Sequence, residues 1–165
     1  MSDGGVFNVA EVVQMAIEEE HNGVRFYEAL EACAQNPTLK EAARRLAAQE
    51  RYHEERFTKL RDTLGTRPLP ESYPGEYADY MGALMAGKTF PNEEAAARLA
   101  QEAGGDLQAV ATALLFEKNT LLFLGEMRRL VPRKDHKTVD ELIDEERQHL
   151  VDLTNIRTML TPHAP

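Results

Sequence analysis

Two segments of the chain carry the same pair of side chains at the same spacing. In "AAQERYHEERF" His53 follows Glu50 by three residues, and in "IDEERQHLVDL" His149 follows Glu146 by three. Three residues is close to one helical turn, so each pair occupies one face of a helix. That face is otherwise apolar. Leu39, Ala43, Leu46, Glu50, His53, Phe57, Leu60 and Leu64 recur in steps of four and three, as do Val139, Leu142, Glu146, His149, Leu153, Ile156 and Leu160. Such a stripe is the core-facing side of an amphipathic helix, and here a carboxylate and an imidazole hold its central places.

Two more stripes each carry one acid at the centre. Val13, Ala16, Glu20, Val24 and Tyr27 form one; Val110, Leu114, Glu117, Leu121 and Leu124 form the other. Four helices therefore bring one carboxylate inward, and two of them add a histidine. A buried carboxylate is costly unless it is protonated, paired or bound to a cation, and four together also repel one another. No Lys or Arg lies on these stripes near the acids. Two divalent cations would balance four carboxylates and two neutral imidazoles. A single Glu on a helix is usually solvated, and a single His on an apolar face is usually a satisfied core residue. Glu18 and His21 have the same spacing but lie about 200° and 100° around the helix from Glu20, off the inward stripe, so a surface position is expected for both. The other six share a register, and that joint occurrence is what points to a metal site.

The elements that must position these residues are four long helices, expected at about 9–34, 39–64, 107–131 and 138–160, and no segment alternates with a strand period. Asn8 with Glu11, Thr38 with Glu41, and Thr138 with Glu141 have cap spacing, and Gly65 is expected to stop the second helix. Short connections make helices one and two, and three and four, antiparallel hairpins. The crossover, residues 65–105, is long enough to run the length of a bundle and is expected to hold short helical pieces at about 76–86 and 92–103. Glu20 and Glu117, each followed six places later by a Phe, are 97 residues apart; Glu50 and Glu146 are 96 apart, with His53 and His149, Phe57 and Leu153, and Leu64 and Leu160 at the same offset. The two hairpins read as near-copies in register.

Composition narrows the function classes. The chain has 165 residues, 42% of them hydrophobic, which suits a single all-α domain with a real core. A formal charge of −9 disfavours nucleic acid or an anionic membrane as partner. Its start, MSDGGVFN, is unlike a secretory signal, and no run of about 18 apolar residues is evident, so a cytoplasmic address is expected. Cys33 stands alone, leaving no thiolate metal site, and is expected to be packing or surface.

The combination of Glu20, Glu50, His53, Glu117, Glu146 and His149 resembles the ferritin-like di-iron carboxylate proteins, in which two helices give a Glu and two others a Glu-x-x-His. Within that group the chain is most similar to rubrerythrin-related proteins: "AIEEEHNGVRFYEAL" is similar to their Glu-x-x-Gly-x-x-Phe-Tyr opening, and the two Glu-x-x-His segments to theirs. The resemblance covers nearly the whole chain and is weakest over residues 66–105. It implies a ferritin-like four-helix bundle holding two iron ions, with manganese or a mixed pair as alternatives. Glu20 and Glu117 would be terminal ligands, Glu50 and Glu146 bridging ligands, and His53 and His149 one imidazole ligand for each metal. Tyr27, a heptad beyond Glu20, would hydrogen-bond near the cluster or simply pack in the core.

Two departures stand out. The chain has no rubredoxin-like pair of C-x-x-C motifs, so electrons would come from a separate donor protein, and Thr120 stands where these proteins have an additional carboxylate. The implied activity is reduction of hydrogen peroxide, with iron oxidation by dioxygen for storage or detoxification as the alternative. Manganese catalase-like chemistry and a non-enzymatic helical module stabilised by metal rank lower. A homodimer is expected, with exchange of hairpins between chains also compatible with the long crossover.

Overall fold

A computed structural model describes residues 8–65, 68–69 and 73–161; most of the MSDGGVFN start and part of the crossover lie outside them. The described residues form α1 (Val9–Cys33), α2 (Pro37–Leu64), α3 (Glu76–Ala86), α4 (Glu93–Gln101), α5 (Asp106–Leu130), a single 3-10 turn (Arg133–Asp135) and α6 (His136–Leu160). No strand occurs among them. The long helices α1, α2, α5 and α6 make a ferritin-like bundle of two hairpins, α1 against α2 and α5 against α6. The crossover sends α4 along α1.

Local chemistry explains most of the ends. Asn8 Oδ1 accepts from the Glu11 backbone N–H at 3.2 Å, and Glu11 accepts from the Asn8 N–H at 2.7 Å, closing a capping box. The second helix starts two residues earlier than the sequence suggests. Asn36, not Thr38, is the cap: its Oδ1 accepts from the N–H of Thr38 and Leu39, and Pro37 takes the first helical position, where a missing N–H costs nothing. Likewise α6 begins at His136, directly out of the 3-10 turn, with no side-chain cap from Thr138. Gly104 and Gly105, at φ of 71° and 130°, make the left-handed turn into α5. Asp106 then accepts from the backbone N–H of Gln35 and Asn36 at 3.0 and 2.6 Å, tying the turn of the first hairpin to the start of the second.

The interior divides into two apolar clusters. One is built around Phe26, Leu30, Leu46, Phe90, Phe116 and Leu153; the other around Val13, Phe57, Met81, Leu124, Met127 and Leu142. Burying each large side chain stabilises by about 1.5–3 kcal/mol. On the stripes of α1, α2, α5 and α6, the six inward acids and histidines fall between residues of the first cluster and residues of the second. The crossover seals one side: Phe90 stacks on Phe26 and Phe116 with ring centres 4.9 and 4.8 Å away, and Asn119 holds its loop through Gly87 O and Thr89 Oγ1. By length and composition α5 could cross a membrane, contrary to the expectation that no segment comes near it. Half of its apolar window is buried in the bundle, and Glu117 lies near its middle.

Candidate metal centre

All six inward residues converge, each no more than 1% exposed. The ring nitrogen Nδ1 of His53 lies 2.6 Å from Glu146 Oε1, 3.5 Å from Glu20 Oε2 and 3.8 Å from Glu50 Oε2. His149 Nδ1 lies 2.9 Å from Glu146 Oε2, 3.4 Å from Glu50 Oε1 and 3.6 Å from Glu117 Oε2. The arrangement is two-fold in character. Glu50 and Glu146 face both imidazoles with different oxygens, whereas Glu20 faces only His53 and Glu117 only His149. The rings themselves stack 5.5 Å apart at 17°.

Two overlapping groups result, Glu20, Glu50, His53, Glu146 and Glu50, Glu117, Glu146, His149, within each of which one ligand atom per residue lies within 4.8 Å of the others. Among the described residues, both oxygens of Glu20, Glu50 and Glu146, Oε2 of Glu117 and Nδ1 of both histidines are buried without a partner in good hydrogen-bonding geometry, their short contacts being with one another. Such atoms are rare in a folded interior. Oxygen- and imidazole-rich sets of this size and symmetry suit two divalent ions, and the donor set fits them.

Protonation states show the same tension. Burial pushes the Glu20 and Glu50 carboxyls well above the usual range, and the neighbouring carboxylates push them further. Burial and the Glu146 charge raise Glu117 to about 7, against the pull of His149. Burial favours the neutral imidazole, but Glu146 and the other carboxylates outweigh it and raise His53 to about 9; Glu117 and Glu146 raise His149 to about 11 in the same way. Burial would also raise Glu146, yet its two imidazole neighbours hold it well below the normal value. Cations between these groups would replace the protons.

The surrounding residues bring both agreement and correction. Tyr27, fully buried, donates its hydroxyl hydrogen to Glu117 Oε1 and also packs edge-on against Phe26 at 5.2 Å. Glu18 and His21 are exposed as expected, although His21 is paired with Glu93 at 3.0 Å and Glu54 at 3.5 Å. Cys33 is half-buried, its thiol 3.4 Å from the Ala100 carbonyl. Glu145 is only 35% exposed and makes two specific contacts: Oε2 to His53 Nε2 at 3.0 Å and Oε1 to Arg56 Nη1 at 3.1 Å. Periodicity on one helix does not reveal it, because Glu145 lies off the α6 stripe and its partners are on α2.

Glu19 was also missed. It is 5% exposed beside Lys88 Nζ at 3.3 Å, and burial raises its pKa while Lys88 opposes the rise. Glu19 and Lys88 line a cavity of about 110 Å³ together with Asn119, Thr120 and Phe123. Thr120, one turn from Glu117, is 3% exposed with its hydroxyl unpaired.

A crystal structure of a candidate ferritin-like diiron-carboxylate protein from Thermotoga maritima is similar to this chain: TM-score 0.70, 26% identity, over 94% of this chain and 98% of that one. No curated protein matches the chain significantly. The family model described as Rubrerythrin matches residues 11–156, a span holding both hairpins and all six converging side chains, and the chain accordingly belongs to the rubrerythrin family.

Proposed function

We propose that the chain is a non-haem di-iron oxidoreductase that reduces hydrogen peroxide with electrons from a separate donor protein. One observation carries this reading: two four-residue ligand groups share Glu50 and Glu146, so two ions would sit side by side under common carboxylates. A pair of adjacent redox-active ions supplies two electrons together to an O–O bond, and with two protons one peroxide becomes two waters.

The chain's own residues set the conditions. Glu20 with His53 and Glu117 with His149 would complete the two positions, and Glu50 and Glu146 would span them. Tyr27 holds Glu117 in place through its hydroxyl. The apolar clusters above and below exclude bulk water. The cavity of about 110 Å³ beside Thr120 has room for water or peroxide. Cys33 is the one cysteine in these 165 residues, so a separate protein is the donor this reading calls for.

A second reading, iron oxidation by dioxygen for storage or detoxification, is favoured by Thr120, which leaves the six-residue set symmetric. Metal analysis of the protein as isolated separates these possibilities. About two iron ions per chain, with colour bleached by reductant and restored faster by peroxide than by air, supports the peroxidase. Uptake of many irons per chain driven by oxygen supports the second reading. Two manganese ions per chain with dismutation of peroxide would replace both with catalase-like chemistry. Colourless protein that binds no metal, and folds equally well with Glu50 and Glu146 changed to Gln, would refute a metal centre. A cytoplasmic homodimer is part of the same proposal: Leu115 and Leu122, 52% and 58% exposed one heptad apart on α5, offer an apolar flank, and mass in solution tests it.

A further inference from the structure

The six inward side chains are related by the internal repeat, but the residues behind them are not. Nδ1 of each histidine faces the carboxylates, so each Nε2 faces away. His53 Nε2 is bonded to Glu145 Oε2 at 3.0 Å. Arg56, its side chain only 15% exposed, clamps that carboxylate at 3.1 Å and is itself held by Glu141 Oε2 at 2.7 Å. His149 Nε2 is buried and has no hydrogen-bond partner among the described residues.

The repeat explains the difference. At the offset of 96 that relates Glu50 to Glu146, the counterpart of Glu145 is Gln49, and the counterpart of Arg56 is Asp152. A neutral amide stands where the other half has an anion, and an acid stands where it has a cation. Asp152 turns instead to Arg45 at 2.7 Å and Gln148 at 2.8 Å. No chain of charge therefore reaches His149 from behind.

A histidine that binds a cation through Nδ1 carries its proton on Nε2. When that proton is donated to a carboxylate, the ring is fixed in orientation and becomes a more basic ligand; a neutral acceptor does this less. We propose that Glu145 makes the two metal positions unequal: the one completed by Glu20 and His53 binds a divalent ion more tightly and fills first. This rests on the metal-centre reading above. Glu145 is a positioning residue, touching neither metal nor substrate.

The test is a titration of the chelator-stripped full chain with cobalt(II), followed by visible absorption and competed with a chelator of known affinity. The wild type is expected to bind in two resolved steps. Glu145→Ala should weaken the tighter step by about 10–100-fold and leave the weaker step in place. Glu145→Gln, which keeps the size and an acceptor oxygen, should recover part of that loss. Gln49→Glu should strengthen the weaker step and bring the two together. Because it exchanges an amide for a carboxylate of the same size and leaves Glu145 intact, it remains informative if Glu145→Ala folds poorly.

A merely structural role for Glu145 would weaken both steps alike, and that result overturns the proposal. So do two equal steps in the wild type, or a Gln49→Glu protein indistinguishable from it. Wild type that binds no cobalt removes the metal centre itself, and with it this inference; equal binding of two ions removes only the inequality.

Discussion

Loading the chelator-stripped protein with two divalent ions at pH 7 should release at least two protons per chain. Burial works against the imidazolium, but the carboxylates around it prevail, raising His53 to about 9 and His149 to about 11, so both rings are protonated at neutrality. Burial, reinforced by neighbouring carboxylates, raises the Glu20 and Glu50 carboxyls well above the usual range, so any proton they hold adds to the count. Each ring must give up its proton before it can bind a cation, which accounts for two protons. Glu117, raised to about 7, adds a fraction. Glu146 is already ionised and adds none. Two protons mean that the overall affinity for the pair rises by at least about two decades per pH unit near pH 7, at about 1.4 kcal/mol per proton. Calorimetric titration with manganese(II), repeated in buffers of different ionisation enthalpy, reads the proton count from the slope of apparent enthalpy. Release of one proton or none would refute the reasoning, because it would require neutral rings beside ionised acids, and hence a cluster less buried or less close than described.

Three further outcomes follow from single features. In the stripped protein Glu20, Glu50, Glu117, His53 and His149 all bind protons more tightly folded than unfolded. The carboxyl contributions are full only below about 4.5 and shrink above it; those of the rings are full below about 6.5 and are lost as pH passes about 9 for His53 and about 11 for His149. Glu146 has the opposite sign and is outnumbered. The melting temperature of the stripped protein should therefore fall from about pH 6 to pH 9, and a flat or rising profile counts against the protonation scheme. Gly23→Ala would place a methyl 2.8 Å from Phe116 Cζ and 3.3 Å from Glu50 Cγ, with the Phe116 ring held by Phe90. A helix-propensity gain of about 1 kcal/mol is outweighed by overpacking of about 1–3 kcal/mol, so the urea midpoint should drop; an increase would show that the ring can yield. Tyr27→Phe removes the donor to Glu117 and should destabilise the stripped protein by about 1–3 kcal/mol in denaturant unfolding, whereas no change would mean the hydroxyl bond contributes nothing.

The positions of the six converging residues were legible in the sequence because a helix imposes its period locally. Once Glu50, His53, Glu146 and His149 are in step with Leu46, Phe57, Leu142 and Leu153, burial of the leucines carries the polar residues inward with them. The internal offset likewise made the hairpin pairing readable, and the capping box at Asn8 was visible as a short-range pattern. The start of α2 was not, because Asn36 and Thr38 both have cap chemistry and only the chain's path after Ala34 decides between them.

What the tertiary structure alone decided lies between helices. Glu145 is off its own stripe, and whether it meets solvent or His53 depends on how far α6 is rotated against α2, which no spacing within either helix records. Glu19 has a partner only because the crossover lays Lys88 over α1. Sequence periodicity determines which side chains enter the core; the relative rotation of packed helices determines which of the residues that differ between the two halves, such as Glu145 and Gln49, come to stand behind them.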